Sequence, residues 1–252
     1  MAKQYHIKCE KGEIAKYVLL PGDPKRAEEI AEHFDECECM AKNREFWTYT
    51  GKIKGVEITT TSTGIGGPST AIATEELARC GARVLIRVGT CGAYVNANIG
   101  DLAILKGAIR NDGTTREYVK KEFPAVSSLS VNLALASSCE KLGYPYFWGI
   151  SNCTDALYAE DPFLDLPKEK KAKLGEIAEM ESSVLFVLSS LYGLRAGGIC
   201  SVVNRVGDKV ERFVYDKSNI EKLINAAIES VVILEEWSDK GRMDLSLRGR
   251  LV

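Results

Sequence analysis

The chain has 252 residues, of which 45% are hydrophobic and 27% charged, and 33 basic side chains nearly balance 35 acidic ones to give a net charge of −2. This is the make-up of an ordinary globular protein, long enough to bury its own core without disulfides or structural metal. The balanced charge excludes the basic surface expected of a protein that binds nucleic acid or an anionic membrane, so an anionic ligand has to be recognised locally.

Hydrophobic patterning alternates between two kinds of segment. Short runs rich in β-branched residues predict strands, and longer segments with apolar residues three and four positions apart predict helices. Asp23 is the expected N-cap of the first helix, with Pro24 at its first position. The alternation predicts one α/β domain over residues 1–252, with helices flanking a central mixed sheet. The predicted strands are Tyr17–Leu20, Val56–Thr61, Arg83–Val88, Leu102–Leu105 and Gly198–Val203, and the predicted helices are Pro24–Phe34, Pro68–Cys80, Val131–Leu142, Glu181–Leu191 and Ile220–Trp237.

Eight cysteines are spread along a chain that is too long to be a small disulfide-framed domain. Most of them lie in apolar segments, where a free thiol behaves as a small hydrophobe. Cys37 and Cys39, with His33 nearby, are too closely spaced for a structural zinc site and are interpreted as a solvated helix end. The chain opens without an apolar signal segment, and no stretch reaches membrane-spanning length, so we expect a cytoplasmic protein with no membrane partner.

Four segments at predicted strand ends or helix starts carry residues that indicate a binding site, because ligands of open α/β sheets bind where strands end. Glycine N–H groups, a helix N-terminus and the guanidinium groups of Arg26 and Arg87 together suit a phosphate dianion. The four segments are Pro21-Gly-Asp-Pro-Lys-Arg26, Thr63-Gly-Ile-Gly-Gly-Pro-Ser-Thr70, Arg87-Val-Gly-Thr-Cys-Gly92 and Glu179-Met-Glu181.

Other chemistries lack their motifs. With only two histidines and no Gly-x-Ser-x-Gly, a serine hydrolase triad is poorly supported, and neither His-Glu-x-x-His nor paired Cys-x-x-Cys is present. Ser69 stands where the third glycine of a dinucleotide-binding loop belongs. We therefore expect no organic cofactor. An anion site beside Glu179 and Glu181 fits a ligand that places a neutral, hydroxyl-rich group against the carboxylates, and a ribose fits that description.

Six motifs, in order, resemble those of the nucleoside phosphorylases of the uridine phosphorylase and hexameric purine nucleoside phosphorylase superfamily. The resemblance implies a three-layer phosphorylase/hydrolase-like fold and reversible phosphorolysis, in which a nucleoside and phosphate give a free base and ribose 1-phosphate in nucleoside salvage. The motifs are Pro-Gly-Asp-Pro-Lys-Arg (21–26), Asn-Arg-Glu-Phe (43–46), Ser-Thr-Gly-Ile-Gly-Gly-Pro-Ser (62–69), Arg-Val-Gly-Thr-Cys-Gly-Ala (87–93), Glu-Phe-Pro-Ala-Val (122–126) and Glu-Met-Glu-Ser (179–182).

The resemblance also assigns roles to single residues. Its phosphate-binding residues are Gly22, Arg26, Arg44, Arg87 and Thr90, and its ribose-binding residues are His6, Glu179, Met180 and Glu181. Its base-binding residues are Thr90, Cys91, Gly92, Leu157, Tyr158 and Asn204. The residues expected to carry catalysis are Arg87, Glu181, Asn204 and Arg205. Potassium is expected between subunits at Glu45, Ile65 and Ser69. Because Arg44 and His6 are expected to reach into a neighbour, the resemblance implies a homodimer as the smallest active unit and a homohexamer as the assembly.

The identity of the base is less clearly marked. Asn204-Arg205 has the uridine phosphorylase form, because hexameric purine enzymes place an aspartate at the first position to protonate the base. An amide donates a hydrogen bond but is no general acid. Asp161 and Phe163, however, stand where uridine phosphorylases carry the glutamine and arginine that read uracil. Uridine is the preferred substrate, and a purine nucleoside is the alternative.

Two further functions stay open at this stage. A nucleosidase of the same superfamily uses water and needs no phosphate-binding arginines, so Arg26, Arg44 and Arg87 argue against hydrolysis. A non-catalytic nucleoside-binding protein would keep binding without turnover.

Overall fold

The computed structural model describes residues 2–158, 175–206 and 213–241. Within them, ten strands and six helices follow one another as an α/β domain. The strands are β1 (Tyr17–Leu20), β2 (Glu36–Asn43), β3 (Phe46–Ile53), β4 (Val56–Thr61), β5 (Val84–Ala93), β6 (Leu102–Asn111), β7 (Ala125–Val126), β8 (Tyr146–Thr154), β9 (Ile177–Glu179) and β10 (Arg195–Arg205). The helices are α1 (Pro24–Ala31), α2 (Gly67–Cys80), α3 (Thr114–Tyr118), α4 (Leu129–Leu142), α5 (Ser182–Leu191) and α6 (Lys217–Asp239).

All the strands belong to one mixed sheet, in the order β10-β6-β8-β9-β5-β1-β4-β3-β2, with β7 attached to β6. Strand β10 pairs with β5 as well as with β6, so β5, β10, β6, β8 and β9 form a closed ring. Closure brings strands that are far apart in the sequence around one space, as in a barrel. The remaining strands extend from β5 as an open sheet that ends at β2.

Side-chain alternation along the strands builds a core on each side of the sheet. On one side, Val18 and Leu85 belong to the cluster that contains Leu77 of α2. On the other, Tyr17 and Val84 belong to the cluster that contains Leu223 of α6. Successive strand residues point to opposite faces, so one stretch of β1 and β5 supports both layers of helices. The predicted fold class, a mixed sheet flanked by helices, is confirmed.

Helix α1 begins where the sequence predicts but ends earlier than predicted. Asp23 is its N-cap, with a side-chain oxygen that accepts a hydrogen bond from the backbone N–H of Lys25, and Pro24 lies at its first position. The helix ends at Ala31 rather than at the predicted Phe34. His33 and Phe34 instead make hydrogen bonds to residues three positions earlier, the tighter pattern of a terminal turn.

The interpretation of Cys37 and Cys39 as a solvated helix end is wrong, because both lie in β2, the exposed edge strand of the sheet. The prediction missed β2 because its charged and small residues lack an apolar alternation. It also missed β3, β7, β8 and β9.

No helix within the described residues is both long enough and apolar enough to cross a bilayer.

Candidate active site

A cavity of about 1020 Å³ lies where the turn after β1 meets the C-terminal halves of β5, β8 and β10. Most of the predicted site residues border it. They are Gly22, Arg26, Arg87, Thr90, Cys91, Gly92, Leu157, Tyr158, Glu179, Met180, Glu181 and Asn204, together with Glu45 and Ile65 of the expected potassium site.

Arg87, on β5, lies between the two carboxylates at the buried side of the cavity. Its Nε is 2.9 Å from Oε2 of Glu179, and one terminal nitrogen is 2.5 Å from Oε2 of Glu181. Burial by itself would lower the pKa of Arg87, but Glu181 and Glu179 outweigh it and raise that pKa above its ordinary value. The guanidinium therefore stays charged although it is shielded from solvent.

The two carboxylates have different surroundings. Glu179 accepts hydrogen bonds from the backbone N–H groups of Glu181 and Ser182 and from the hydroxyls of Ser151 and Ser182. Burial would raise the pKa of Glu179, but Arg87 and these donors hold it below its ordinary value. Glu179 is thus an anionic anchor for the start of α5 as well as a partner of Arg87.

Glu181 has fewer hydrogen bonds and borders the same cavity. Its Oε1 accepts from the backbone N–H of Gly66 at 2.6 Å, which ties it to the glycine-rich loop before α2. Burial, with the nearby charge of Glu179, raises the pKa of Glu181 above its ordinary value despite the opposing effect of Arg87. Because fewer donors occupy its oxygens, Glu181 is the carboxylate better able to accept hydrogen bonds from a ligand.

Arg26, in the first turn of α1, is the second guanidinium at this end. It is buried, and its Nε has no hydrogen-bond partner within the described residues. Burial lowers the pKa of Arg26, and the charge of Arg87 lowers it further, although Asp23 opposes both. A small dianion between the two arginines would relieve their repulsion and satisfy the buried N–H.

The glycine-rich loop is joined to the turn after β1 by backbone hydrogen bonds. Thr63 N–H donates to Pro21, and Gly64 N–H donates to Gly22 at 3.0 Å. Gly64 has φ of +72°, and a Cβ there would lie 2.8 Å from Cγ of Glu45. A glycine is required at this position both by the backbone conformation and by the close approach of Glu45.

Three of the residues predicted to bind substrate or carry catalysis lie away from the cavity lining, as does Ser69 of the expected potassium site. Arg44 occupies the exposed turn between β2 and β3, with φ of +53°. His6 is held by Glu76, and its carbonyl accepts from Asn43 Nδ2 at 2.7 Å, which places His6 beside the Arg44 turn. The Arg205 side chain donates from Nε to the carbonyl of Ala97 at 3.0 Å. Asp161 and Phe163 lie outside the described residues.

The end of the cavity that is lined by Thr90 and Asn204 contains further polar residues that the sequence patterns did not indicate. Tyr94, Asn152 and Thr154 border the cavity in addition to the predicted Thr90 and Asn204. Asn152 and Thr154 belong to β8, which was not predicted as a strand, so no pattern placed them at a strand end. Tyr94 follows Gly92 by two positions, a spacing that could have indicated a shared face.

A model of the phosphorylase superfamily matches residues 16–236. The chain belongs to the phosphorylase superfamily. Among curated superfamily members, the uridine phosphorylase of Thermococcus kodakarensis is 45% identical, over 94% of this chain and 88% of its own length. The guanosine phosphorylase of Halorubrum lacusprofundi is 36% identical, over 93% of this chain and 100% of its own.

Two solved superfamily structures resemble this fold closely. The uridine phosphorylase of Vibrio fischeri ES114, complexed with 6-hydroxy-1-naphthoic acid, has a TM-score of 0.84 at 33% identity. The purine nucleoside phosphorylase of Toxoplasma gondii, in complex with immucillin-H, has a TM-score of 0.86 at 30% identity. Each comparison covers 94% of this chain and 98% of the other. The fold is therefore shared by relatives named for pyrimidine and for purine nucleosides.

The residues of this superfamily member that were expected to hold potassium lie close together. Ser69 Oγ donates to the carbonyl of Ile65 at 3.1 Å, and the side chain of Glu45 packs against Gly64, which precedes Ile65. A carboxylate, a carbonyl and a hydroxyl are all oxygen donors, the type that hard cations prefer. The donor set fits potassium, and the site stays a prediction.

Proposed function

We propose that this protein catalyses the reversible phosphorolysis of a nucleoside, with uridine as the preferred substrate. The observation that carries the proposal is the placement of Arg87 and Arg26 beside Glu181 in one cavity. Two buried cations suit phosphate, and the adjacent carboxylate suits the hydroxyls of a ribose. A nucleosidase would have no use for the buried, unpartnered Nε of Arg26.

The same arrangement accounts for the chemistry. As the bond from ribose to base breaks, positive charge grows on the sugar and negative charge on the base. A phosphate dianion held by Arg26 and Arg87 stabilises the sugar charge and supplies the nucleophile. Glu181 accepts hydrogen bonds from the ribose hydroxyls and holds C1′ near the phosphate, which removes much of the entropic barrier. The phosphate attacks directly, so no covalent enzyme intermediate is needed.

Uridine is proposed as the first substrate on two grounds. Asn204, at the base end, has the amide found in uridine phosphorylases, and the Thermococcus kodakarensis relative is named for uridine. The alternative is a purine nucleoside, favoured by the guanosine phosphorylase of Halorubrum lacusprofundi and by the departures from the uracil-reading pair at Asp161 and Phe163.

The active unit is proposed to be a homodimer, assembled further into a homohexamer. Arg44 and His6 lie beside each other on an exposed part of the molecule, away from the cavity of their own chain. That position suits residues that complete a neighbour's site.

Potassium at Glu45, Ile65 and Ser69 is proposed to stabilise the loop next to the same phosphate site. Activity and stability that do not depend on potassium would contradict this proposal.

The decisive experiment measures base release from uridine, thymidine, inosine, guanosine, adenosine and methylthioadenosine, each with and without phosphate. We expect release that depends on phosphate and is fastest for uridine, with ribose 1-phosphate as co-product. Arg87→Ala should abolish it, because a buried phosphate ligand is lost. Release without phosphate would indicate a nucleosidase, and binding without any turnover would indicate a non-catalytic protein.

A further inference from the structure

Four cavity residues lie side by side across adjacent strands of the closed ring. Asn152 of β8 is in register with Ala178 of β9, Ala178 with Gly92 of β5, and Gly92 with Asn204 of β10. All four border the cavity. The two middle residues have at most a methyl side chain, so two amides stand at the ends of a small-residue floor. Three strand spacings separate them by at most roughly 14 Å between Cα atoms.

The orientation of the Asn152 amide is fixed by a neighbouring strand. Its Oδ1 accepts a hydrogen bond from Nδ2 of Asn111 on β6 at 2.5 Å. Its Nδ2 donates a long hydrogen bond of 3.4 Å to the hydroxyl of Tyr94. Because the acceptor is already engaged and the amide nitrogen carries a second hydrogen, Asn152 keeps one N–H donor for a ligand in the cavity. Asn152 as a residue is 1% exposed, so an unpaired donor here has little access to water.

The hydroxyl groups near Asn152 do not determine whether a ligand must donate or accept a hydrogen bond. The hydroxyls of Thr90, Tyr94 and Thr154 rotate to donate or accept as a ligand requires. At the far end of the row, Asn204 Oδ1 is buried and has no hydrogen-bond partner within the described residues. A Cβ on Gly92 would lie 2.9 Å from that oxygen, so the glycine lets the Asn204 amide lie over the floor. Asn152 and Asn204 therefore both present polar atoms to a ligand. Of these two amides, Asn152 is the one whose orientation is fixed so that it donates a hydrogen bond.

We propose that Asn152 is a specificity-determining residue that selects bases with a carbonyl group at C4 of a pyrimidine or C6 of a purine over bases with an amino group at the same position. The inference rests on the proposed nucleoside phosphorolysis and narrows its substrate class to uridine and 6-oxopurine nucleosides. Asn152 Nδ2 donates to the carbonyl oxygen of the base. An amino group in that place sets donor against donor and leaves both N–H groups unpaired in a dry site, which a hydrogen-bonding pocket rejects strongly.

Asn111 has a separate task, because it acts on the base only through Asn152. It is a positioning residue that determines which end of the Asn152 amide faces the cavity. Asn111→Asp replaces its donor by an acceptor, so Asn152 turns to donate to Asp and presents Oδ1 to the base. The substitution keeps the size of the side chain and is expected to reverse the preference without touching the base.

The test compares kcat/KM for phosphorolysis within two pairs, uridine against cytidine and inosine against adenosine. We expect the unmodified protein to prefer the carbonyl member by roughly tenfold or more. Asn152→Leu should bring the ratio towards one, and Asn111→Asp should move it by about tenfold or more in favour of the amino member. Asn225→Asp, the same change of side chain on α6 and outside the cavity lining, is the matched control and should leave the ratio unchanged.

A second measurement separates this inference from the proposed function. Calorimetric binding of uracil, cytosine, hypoxanthine and adenine needs no turnover, and the same variants should shift the ratios in the same directions. If no nucleoside is cleaved, the proposed function fails while the binding ratios still decide the role of Asn152. A native preference for the amino bases would overturn the inference. So would ratios that stay unchanged in both Asn152→Leu and Asn111→Asp.

Discussion

Glu179 and Glu181 are two residues apart and both contact Arg87, yet their surroundings separate their tasks. The charge of Arg87, with four hydrogen bonds from the start of α5 and from Ser151, holds the pKa of Glu179 below its ordinary value. Glu181 contacts Arg87 and accepts from the N–H of Gly66, and it has fewer hydrogen bonds than Glu179 among the described residues. At the scale of single residues, the site therefore combines a carboxylate that organises the protein with one that is available to a ligand.

The pKa of Glu179 leads to a prediction about acid stability. Its folded pKa lies below the ordinary value of 4.5, so it contributes stability above that pH and loses the contribution as the pH falls through the folded pKa. Glu179→Gln should lower the free energy of unfolding at neutral pH by about 3–5 kcal/mol, because Arg87 loses a buried partner. Its loss of stability below pH 4.5 should also be shallower than in the unmodified protein.

Urea unfolding at a series of pH values measures this, with Glu181→Gln as the control. The pKa of Glu181 is raised, so its ionisation costs stability as the pH rises above 4.5, and removing it should change the pH dependence in the opposite sense. Identical pH profiles for the two variants would contradict the division of tasks.

Glu76 leads to a second prediction at the residue scale. Its carboxylate accepts from the backbone N–H groups of His6 and Ile7 and from His6 Nδ1 at 2.8 Å. This arrangement fixes the position and the tautomer of the imidazole and leaves Nε2 for another partner. If His6 binds the 5′-hydroxyl in a neighbour's site, Glu76→Gln should raise KM for the nucleoside about tenfold and leave KM for phosphate unchanged.

A 5′-deoxynucleoside provides the control for Glu76, since it lacks the hydroxyl that His6 is proposed to bind. The unmodified protein and Glu76→Gln should then have similar KM values. An equal rise of KM for both substrates would mean that Glu76 matters only for the fold of the N-terminal segment.

At the scale of elements, the N-terminus of α2 is positioned by close contact with two other helices. A Cβ on Gly67 would lie 2.6 Å from Oγ1 of Thr114 at the start of α3, and 3.1 Å from Cγ2 of Val184 on α5. The glycine therefore allows the N-terminus of α2 to pack closely against α3 and α5. Glu181 immediately precedes α5 and accepts from Gly66 just before α2, so this packing also positions Glu181.

Gly67→Ala should lower the free energy of unfolding by about 1–3 kcal/mol, because the added methyl overpacks this contact. Chemical denaturation measures the change. Gly113→Ala is the matched control: it has a negative φ, and its nearest neighbour to a new Cβ is an oxygen of Asp155 at 3.4 Å. Equal destabilisation by both substitutions would indicate that the effect comes from the loss of glycine itself and not from helix packing.

At the scale of the whole molecule, the proposed sites are shared between chains, and this can be tested by mixing variants. Arg44→Ala and Arg87→Ala should each be inactive alone, because each site loses a phosphate ligand. A mixed dimer places an intact Arg87 of one chain opposite an intact Arg44 of the other and restores one site. Unfolding and refolding an equal mixture should recover activity at roughly a quarter of the sites.

The control for complementation is refolding of each variant alone, followed by mixing without exchange of subunits. Activity that does not recover on co-refolding, although dimers form, would place Arg44 in the site of its own chain and contradict the shared arrangement.

The sequence by itself determined the alternation of strands and helices, the N-cap at Asp23, and the family, because these depend on local pattern and ordered motifs. It also identified Arg26, Arg87 and Glu181, since charged residues in short segments at strand ends and helix starts are conspicuous. Only the tertiary structure decided the rest. The sequence did not predict the full length of β5 or any of β8. Both strands contain glycines and polar residues, and such segments form strands because they pair with neighbouring strands and not because of a local pattern. Sheet closure then brought Asn152 into line with Asn204, a relation between distant segments that no local spacing encodes.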